Sequence, residues 1–232
     1  MTKLQVVNIT KKFGDLIALK ECALEISSDG IFGLIGPNGS GKTTLFNIIT
    51  GFSRPNSGKI FFGDRNIAGR DPVTISKAGI ARTFQLPRIF SSLSVSENLE
   101  VSRPKRISES RIDEVLQIVD MKEQKNVRAG TLSYGQKKQL DIARVLMLDP
   151  LVLLLDEPTA GLEPSMIRSM IEQIKYIHDL KKGVFIIEHN MNVIMNLAEE
   201  IFVLHNGAKI AEGTPSEIQQ NSVVIEAYLG TE

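Results

Sequence analysis

The sequence predicts an α/β fold with a mainly parallel sheet, an antiparallel β layer at the N-terminal end and an inserted helical subdomain. Short apolar runs without polar interruption occur at residues 31–35, 151–155 and 184–187. Strands that are buried on both faces of a parallel sheet have this pattern. Between the last two runs, apolar residues recur at helical spacing, which gives the order strand, helix, strand: Ile167, Met170, Ile171, Ile174 and Ile177.

The antiparallel layer is predicted from alternating polar and apolar residues at the start of the chain. The first strand is expected to present Leu4, Val6 and Asn8 on one face and Val7 and Ile9 on the other. Residues 11–15 are expected to form a turn. A second strand repeats the alternation and places three residues on one face: Cys22, Leu24 and Ile26.

The inserted segment is expected at residues 86–130, between core regions at residues 1–85 and 131–232 of one domain. Residues 103–106 interrupt the chain before an apolar helical stripe, in front of which Ser110 and Asp113 form a weak capping box. The stripe consists of Ile112, Val115, Leu116 and Val119. Near the end of the chain, Asn206 and Gly207 separate two short strands and predict a hairpin.

Composition excludes several classes of protein. Of the 232 residues, 42% are hydrophobic and 23% are charged, which is typical of a globular protein rather than a disordered or fibrous one. The chain has 27 Lys and Arg and 27 Asp and Glu residues, so no overall positive charge attracts nucleic acid. We therefore expect no nucleic acid partner and only local phosphate binding.

Location is predicted from the cysteine count and from the apolar runs. The single cysteine, Cys22, cannot form an internal disulfide and fits a reducing compartment. The longest aliphatic run, residues 151–155, is far shorter than the roughly 18 to 20 residues that span a bilayer. No signal-peptide pattern opens the sequence. A cytoplasmic protein without its own membrane span is therefore expected.

A phosphate-binding loop lies between the strand at residues 31–35 and a predicted helix at residues 43–50. Its spacing and its strand-loop-helix context fit the P-loop, in which backbone N–H groups and a helix N-terminus surround phosphates. Lys42 is expected at the β- and γ-phosphates, Thr43 on Mg²⁺ and Thr44 near the α-phosphate. The loop comprises Gly36, Pro37, Asn38, Gly39, Ser40, Gly41, Lys42 and Thr43.

Two adjacent carboxylates, Asp156 and Glu157, end the apolar run at residues 151–155. Ligands of open α/β sheets bind at the carboxyl ends of the strands. Asp156 is therefore the expected Mg²⁺ partner, and Glu157 is expected to polarise the attacking water. Taken alone, the pair is equally compatible with a turn that Pro158 ends.

Four further motifs accompany the P-loop. Leu132 to Gln136 reads Leu-Ser-Tyr-Gly-Gln, Gly161 to Pro164 follows the carboxylates, Gln85 closes Ala-Arg-Thr-Phe-Gln, and His189 ends a strand. This combination resembles the nucleotide-binding subunit of ATP-binding cassette (ABC) transporters over nearly the whole chain. The resemblance implies an ATPase that uses ATP and Mg²⁺.

The resemblance also implies roles for individual residues. Gln85 is the glutamine that senses Mg²⁺ and water, His189 contacts the γ-phosphate, and Phe13 stacks on adenine. The alternative for Phe13 is a position in the hydrophobic core. The alternative for His189 is a histidine that simply ends a strand.

The Leu-Ser-Tyr-Gly-Gln segment, here called the signature segment, is expected to open a helix near Gln136, so that Ser133, Gly135 and Gln136 face a phosphate. In the family this site meets the ATP of a second ATPase subunit, in a homodimer or heterodimer. A simple helix N-cap is the alternative. Tyr134 replaces the usual second glycine, and Glu163 stands where an aspartate is common.

Finer features resemble the ATPases that energise import of branched-chain amino acids through separate integral membrane permeases. They include residues 79–85, Phe90, residues 186–191 and residues 226–230. The resemblance places the chain peripherally on the inner face of the cell membrane. A lipopolysaccharide-extraction ATPase and a non-transport ABC ATPase are the alternatives, although the latter would need a coiled-coil insertion or two cassettes. Residues 86–98 are either docking contacts for the permease or subdomain core.

Overall fold

The computed structural model describes residues 2–105 and 107–229. The predicted antiparallel layer is a four-stranded sheet in the order β2-β1-β4-β5. Its strands are β1 Lys3–Phe13, β2 Leu16–Ser27, β4 Ser57–Phe62 and β5 Arg65–Asn66. The turn predicted at residues 11–15 is confirmed only at residues 14–15, because β1 continues to Phe13 and pairs there with Leu16.

The face assignment of β1 is also wrong at one position. Asn8 has a φ of 50° and lies at a register shift in both strand pairings of β1. This irregularity changes the phase of the strand. Ile9 therefore joins Leu4 and Val6 in the core, while Val7 is 40% exposed.

The second sheet has six strands in the order β10-β9-β3-β8-β7-β6, and all neighbours except the β9-β10 hairpin are parallel. The three predicted strands are confirmed to within one residue at each end. Asn206 and Gly207 have φ values of 48° and 79° and form the predicted hairpin turn. The strands are β3 Ile31–Ile35, β6 Ile80–Arg82, β7 Val152–Asp156, β8 Gly183–Ile187, β9 Glu200–His205 and β10 Ala208–Gly213.

Helices cover both faces of this sheet, and its side chains alternate between two cores. Leu153 and Leu155 point into one core, whereas Leu154 and Phe185 point into the other. The second core also contains residues of α1 and of the antiparallel sheet. The helices outside the inserted segment are α1 Lys42–Ile49, α2 Pro72–Ala78, α5 Tyr134–Leu146, α6 Pro164–Asp179, α7 Met191–Leu197, α8 Pro215–Gln220 and α9 Ser222–Leu229.

The inserted segment contains α3 Val95–Ser102, α4 Arg111–Ile118 and a 3₁₀ turn at Ala129–Thr131. The predicted apolar stripe of α4 is buried. The predicted cap at Ser110 is wrong, because Ser110 is itself helical (φ −56°, ψ −23°) and its side chain makes no capping bond. The boundaries at residues 85 and 131 stay a prediction, and Arg106 lies outside the described residues.

Among the described residues, no helix combines the length and the apolar character that crossing a lipid bilayer requires.

Candidate nucleotide site

The predicted phosphate loop connects β3 to α1 in a conformation that leaves little room for side chains. A Cβ on Gly36 would lie 2.0 Å from the carbonyl oxygen of Leu204, and one on Gly41 would lie 2.6 Å from that of Ala18. Gly41 also has a φ of 105° and precedes the first residue of α1. The loop therefore passes close to neighbouring backbone and carries the N-terminus of α1 at its end.

A cavity of about 340 Å³ opens beside this loop. Gly36, Pro37, Gln85 and Asp156 do not line it, although Gln85 donates to Glu157, which does. Ser133, Gly135 and Gln136 do not line it. The predicted residues that line the cavity are Phe13, Asn38, Gly39, Ser40, Gly41, Lys42, Thr43, Thr44, Glu157 and His189. The structure thus brings together residues from both sheets and from widely separated parts of the chain.

The side chain of Lys42 is buried and folded back along the loop. Its Nζ donates to the carbonyl oxygens of Gly36 at 2.8 Å and Pro37 at 2.9 Å, and lies 3.4 Å from the hydroxyl of Ser40. Burial lowers the pKa of Lys42, and the nearby carboxylates of Glu157 and Asp156 oppose that shift. Neutral acceptors therefore hold the ammonium at the loop. A negatively charged phosphate would form stronger hydrogen bonds with it.

Glu157 lies between two of the other predicted residues. Its Oε1 is 2.9 Å from Nε2 of His189, and its Oε2 accepts a hydrogen bond from Nε2 of Gln85 at 3.0 Å. The three residues follow β7, β8 and β6, which are neighbours in the parallel sheet. The carboxyl ends of these strands therefore bring a carboxylate, an imidazole and an amide to one edge of the cavity.

Asp156 makes a contact that the sequence analysis missed. Its Oδ2 accepts from Arg82 at 2.8 Å, and both side chains are 4% exposed. Burial raises the pKa of Asp156, and Arg82 opposes the rise. The sequence offers only a weak sign that Arg82 is buried, namely the apolar residues Ile80 and Ala81 that precede it in the strand. Arg82 occupies one oxygen of a carboxylate whose other oxygen can take a cation.

Glu188 is a second missed residue. It is 3% exposed and accepts from the backbone and hydroxyl of Thr159 and from the backbone N–H groups of His189 and Asn190. These bonds tie the loop after Glu157 to the strand end that carries His189. Glu188 therefore fixes the distance between the two chain segments that meet at the site.

The signature segment forms a helix N-cap, and the predicted start near Gln136 is corrected to Tyr134. Ser133 Oγ accepts from the backbone of Gln136, while the Gln136 side chain accepts from the backbone of Ser133. This is a complete capping box, the alternative that the sequence left open. A Cβ on Gly135 would lie 2.4 Å from Cε of Met166, the end of a flexible side chain that would have to move aside.

The residues at the site fit a nucleotide with Mg²⁺. Mg²⁺ prefers oxygen ligands and usually takes one or two from protein carboxylates, with the rest from phosphates and water. Thr43 has a hydroxyl and Asp156 a carboxylate that could serve as such oxygen ligands. Within the described part of the chain, no cluster of three or more His, Cys, Asp or Glu residues suited to a metal occurs. A metal here would therefore depend on phosphate oxygens.

Two family models match the chain. The model described as "ABC transporter" matches residues 19–160, and that described as "Branched-chain amino acid ATP-binding cassette transporter" matches residues 208–232. The chain belongs to the ABC transporter family. This cassette is therefore an ATPase, and the predicted family and fold class are confirmed.

Curated relatives cover nearly the whole cassette. The high-affinity branched-chain amino acid transport ATP-binding protein BraF of Pseudomonas aeruginosa is 37% identical over 250 residues, 98% of this chain and 97% of the relative. LivG of Escherichia coli (strain K12), which carries the same description, is 35% identical over 248 residues, again 98% and 97%.

Solved structures share the fold. The ADP conformation of MJ1267, an ATP-binding cassette of an ABC transporter, has a TM-score of 0.91 and 30% identity, covering 99% of both chains. A dimeric, post-hydrolysis structure of the cassette MJ0796 with ADP and Pi has a TM-score of 0.81 and 26% identity, covering 91% of this chain and 98% of the other.

Proposed function

We propose that this cassette hydrolyses ATP with Glu157 as the general base. The main support is that Glu157 lies between Gln85 and His189. Both side chains contact the carboxylate directly, so its two oxygens are oriented at the mouth of the cavity. A base that is held in this way can accept a proton from a water molecule. Gln85 orients that water and senses Mg²⁺, and His189 contacts the γ-phosphate.

The remaining residues bind the nucleotide and its metal. The loop from Gly36 to Gly41 directs backbone N–H groups at the phosphates, with Lys42 at the β- and γ-phosphates and Thr44 at the α-phosphate. Thr43, Asp156 and Gln85 would hold Mg²⁺, which would neutralise charge on the phosphates. Phe13 is 53% exposed and borders the cavity, which supports stacking on adenine rather than a core role.

Two copies of the cassette, or the cassette and a close relative, are proposed to enclose each nucleotide. In this arrangement Ser133, Gly135 and Gln136 meet the ATP of the partner subunit. Ser133 caps the N-terminus of the 13-residue helix α5 and is exposed. The helix dipole and the Ser133 hydroxyl then favour an anion.

The transported solute is proposed to be a branched-chain or related amino acid, taken up through separate membrane permeases. The descriptions of BraF and LivG and the family model over residues 208–232 support this choice. They favour it over lipopolysaccharide extraction. In this proposal the permeases or an associated binding protein would recognise the solute.

Leu86 and Phe90 are proposed as contacts for the permease at the inner face of the membrane. They are 71% and 44% exposed, which supports docking rather than subdomain core. Ile89 packs against the core instead. In this proposal residues 86–98 therefore include both docking contacts and subdomain core.

The replacement Glu157→Gln tests the proposed chemistry. Removing a general base usually slows catalysis by about 10²- to 10⁴-fold, while the P-loop keeps its contacts. We expect ATP binding to be retained, turnover to be lost and an ATP-bound dimer to accumulate in size-exclusion chromatography. Glu172→Gln, at a 76% exposed position on α6, is the matched control. Turnover at the parent rate in Glu157→Gln would disprove the role of Glu157.

Amino acid uptake is tested separately in proteoliposomes. The cassette is reconstituted with candidate permeases and a candidate solute-binding protein. ATP hydrolysis that rises when the binding protein carries leucine supports the proposal. A rate that does not respond to any branched-chain amino acid contradicts the substrate and leaves the ATPase assignment intact.

A further inference from the structure

Lys138 is a buried lysine on α5 whose side chain reaches the backbone of the proposed base. Its side chain is 5% exposed, and Nζ donates to the backbone carbonyl oxygen of Glu157. Burying an ammonium is costly unless it gains hydrogen bonds and opposite charge. The carboxylates of Glu188, Glu157 and Asp141 surround it and oppose the lowering of the Lys138 pKa by burial. The buried ammonium is thus compensated by a carbonyl acceptor and by nearby negative charge.

The peptide that Lys138 contacts is in an uncommon conformation. Glu157 has a φ of 50°, in the left-handed region that costs a non-glycine residue roughly 1–2 kcal/mol. Its N–H donates to Ile187 at 2.9 Å, and its carbonyl also accepts a longer bond from Ala160 at 3.3 Å. Strained residues persist where their surroundings over-determine them. Lys138 supplies a charged donor at this peptide from a separate helix.

Helix α5 also contacts the chain on the other side of the base. Asp141, one helical turn after Lys138, accepts from the backbone N–H of Arg88 at 3.2 Å. It also accepts from the backbone of Phe84, which directly precedes Gln85. One rigid helix therefore holds both the peptide of Glu157 and the segment that flanks Gln85.

Tyr134, the departure from the usual signature glycine, packs at the same place. Nζ of Lys138 lies 5.6 Å from the centre of the Tyr134 ring. A Cβ on Gly161 would lie 3.2 Å from Cε1 of this ring, so the tyrosine is against the loop that follows Glu157. Tyr134 thus shields the buried ammonium and connects the signature segment to that loop.

We propose that Lys138 is a positioning residue that fixes the peptide of Glu157 and thereby links the signature segment to the base of its own subunit. This inference rests on the proposed function, in which the start of α5 meets the partner's nucleotide. When that end of α5 moves, Lys138 moves the base of the same chain. Each nucleotide site would then sense the occupancy of the other through one helix.

The replacement Lys138→Met tests this role, because methionine keeps a similar unbranched shape and removes the donor and the charge. A displacement of a reacting group by about 1 Å can cost about 10²-fold in rate. We expect kcat to fall by about 10- to 100-fold, with the ATP dissociation constant unchanged within about 2-fold. Lys138→Arg, which retains charged donors, is expected to recover much of the loss. Lys137→Met, at the half-buried neighbouring position, is the matched control and should match the parent.

A double-mutant comparison identifies the group through which Lys138 acts. If it acts through Glu157, adding Lys138→Met to Glu157→Gln leaves turnover at the level of Glu157→Gln alone. If the double mutant loses turnover by the product of the two single losses, the proposal is overturned. It is also overturned if Lys138→Met lowers kcat and ATP affinity by similar factors. If Lys138→Met fails to fold, the same measurements on Lys138→Gln, which keeps a neutral donor, decide by the same criteria.

The proposed function and this inference fail in different ways. Parent turnover in Glu157→Gln overturns the assignment of the base. Loss of turnover in Glu157→Gln together with parent kcat in Lys138→Met overturns only the positioning role.

Discussion

The ion pair between Arg82 and Asp156 offers the sharpest test of how the site is held together. The replacement Arg82→Met removes the guanidinium but retains much of its length. The two side chains are 4% exposed and 2.8 Å apart, so the carboxylate would stay buried without its cation. Arg82 also donates to Asn47 Oδ1 at 2.7 Å, a bond that would be lost as well. Breaking a buried pair from one side typically costs about 3–5 kcal/mol, and we expect a loss in this range.

The assay is urea unfolding, followed by circular dichroism and by intrinsic tyrosine fluorescence. Arg168→Met is the matched control, because Arg168 is exposed on α6 and methionine has a similar helix propensity. The control should change the free energy of unfolding by less than about 0.5 kcal/mol. A loss below about 1 kcal/mol in Arg82→Met would refute the argument that the buried carboxylate depends on this arginine.

The pH dependence follows from the direction of the Asp156 shift. Burial raises the pKa of Asp156 above its ordinary value of 3.8, so the folded state binds the proton more tightly. Stability from this group is therefore present below 3.8 and is lost as the pH rises through the raised value. Without Arg82 the pKa rises further. The stability deficit of Arg82→Met should thus grow as the pH of the unfolding series is raised above 3.8, and a deficit that grows on acidification contradicts this reasoning.

Two further predictions concern helix capping and thiol reactivity. Ser94→Ala should cost about 0.5–2 kcal/mol in urea unfolding, because Ser94 and Glu97 form a complete capping box, whereas Ser110→Ala should change little. Equal costs at the two serines would contradict the assignment. Burial raises the pKa of Cys22 to about 11, so iodoacetamide at about pH 8 should label the thiol only after unfolding, as read by mass spectrometry. Rapid labelling of the folded chain would be the opposing result.

Local patterns in the sequence were sufficient for the elements that carry the phosphate loop. The strand Ile31–Ile35 and the helix that follows it were predicted because apolar runs and glycine spacing are properties of neighbouring residues. The same holds for Asp156 and Glu157 at the end of a buried strand. Their place in the structure agrees with the rule that ligand crevices form at the carboxyl ends of parallel strands.

Local conformation overrode the sequence pattern at Asn8 and at Ser110, among other places. The positive φ of Asn8 shifted the face on which Ile9 lies, and alternation alone does not reveal such an irregularity. Serine is a common N-cap residue, but the backbone of Ser110 is already helical. Its side chain therefore makes no capping hydrogen bond.

The sequence by itself determined which residues have the chemistry to bind phosphate, metal and water, because that chemistry is written in residue type and spacing. Only the tertiary structure decided that Arg82 pairs with Asp156 and that Lys138 reaches Glu157. These partners are far apart in the chain, and burial makes each contact strong by removing water from it. Because desolvation depends on what surrounds a group in three dimensions, no local pattern specifies which buried charge meets which acceptor.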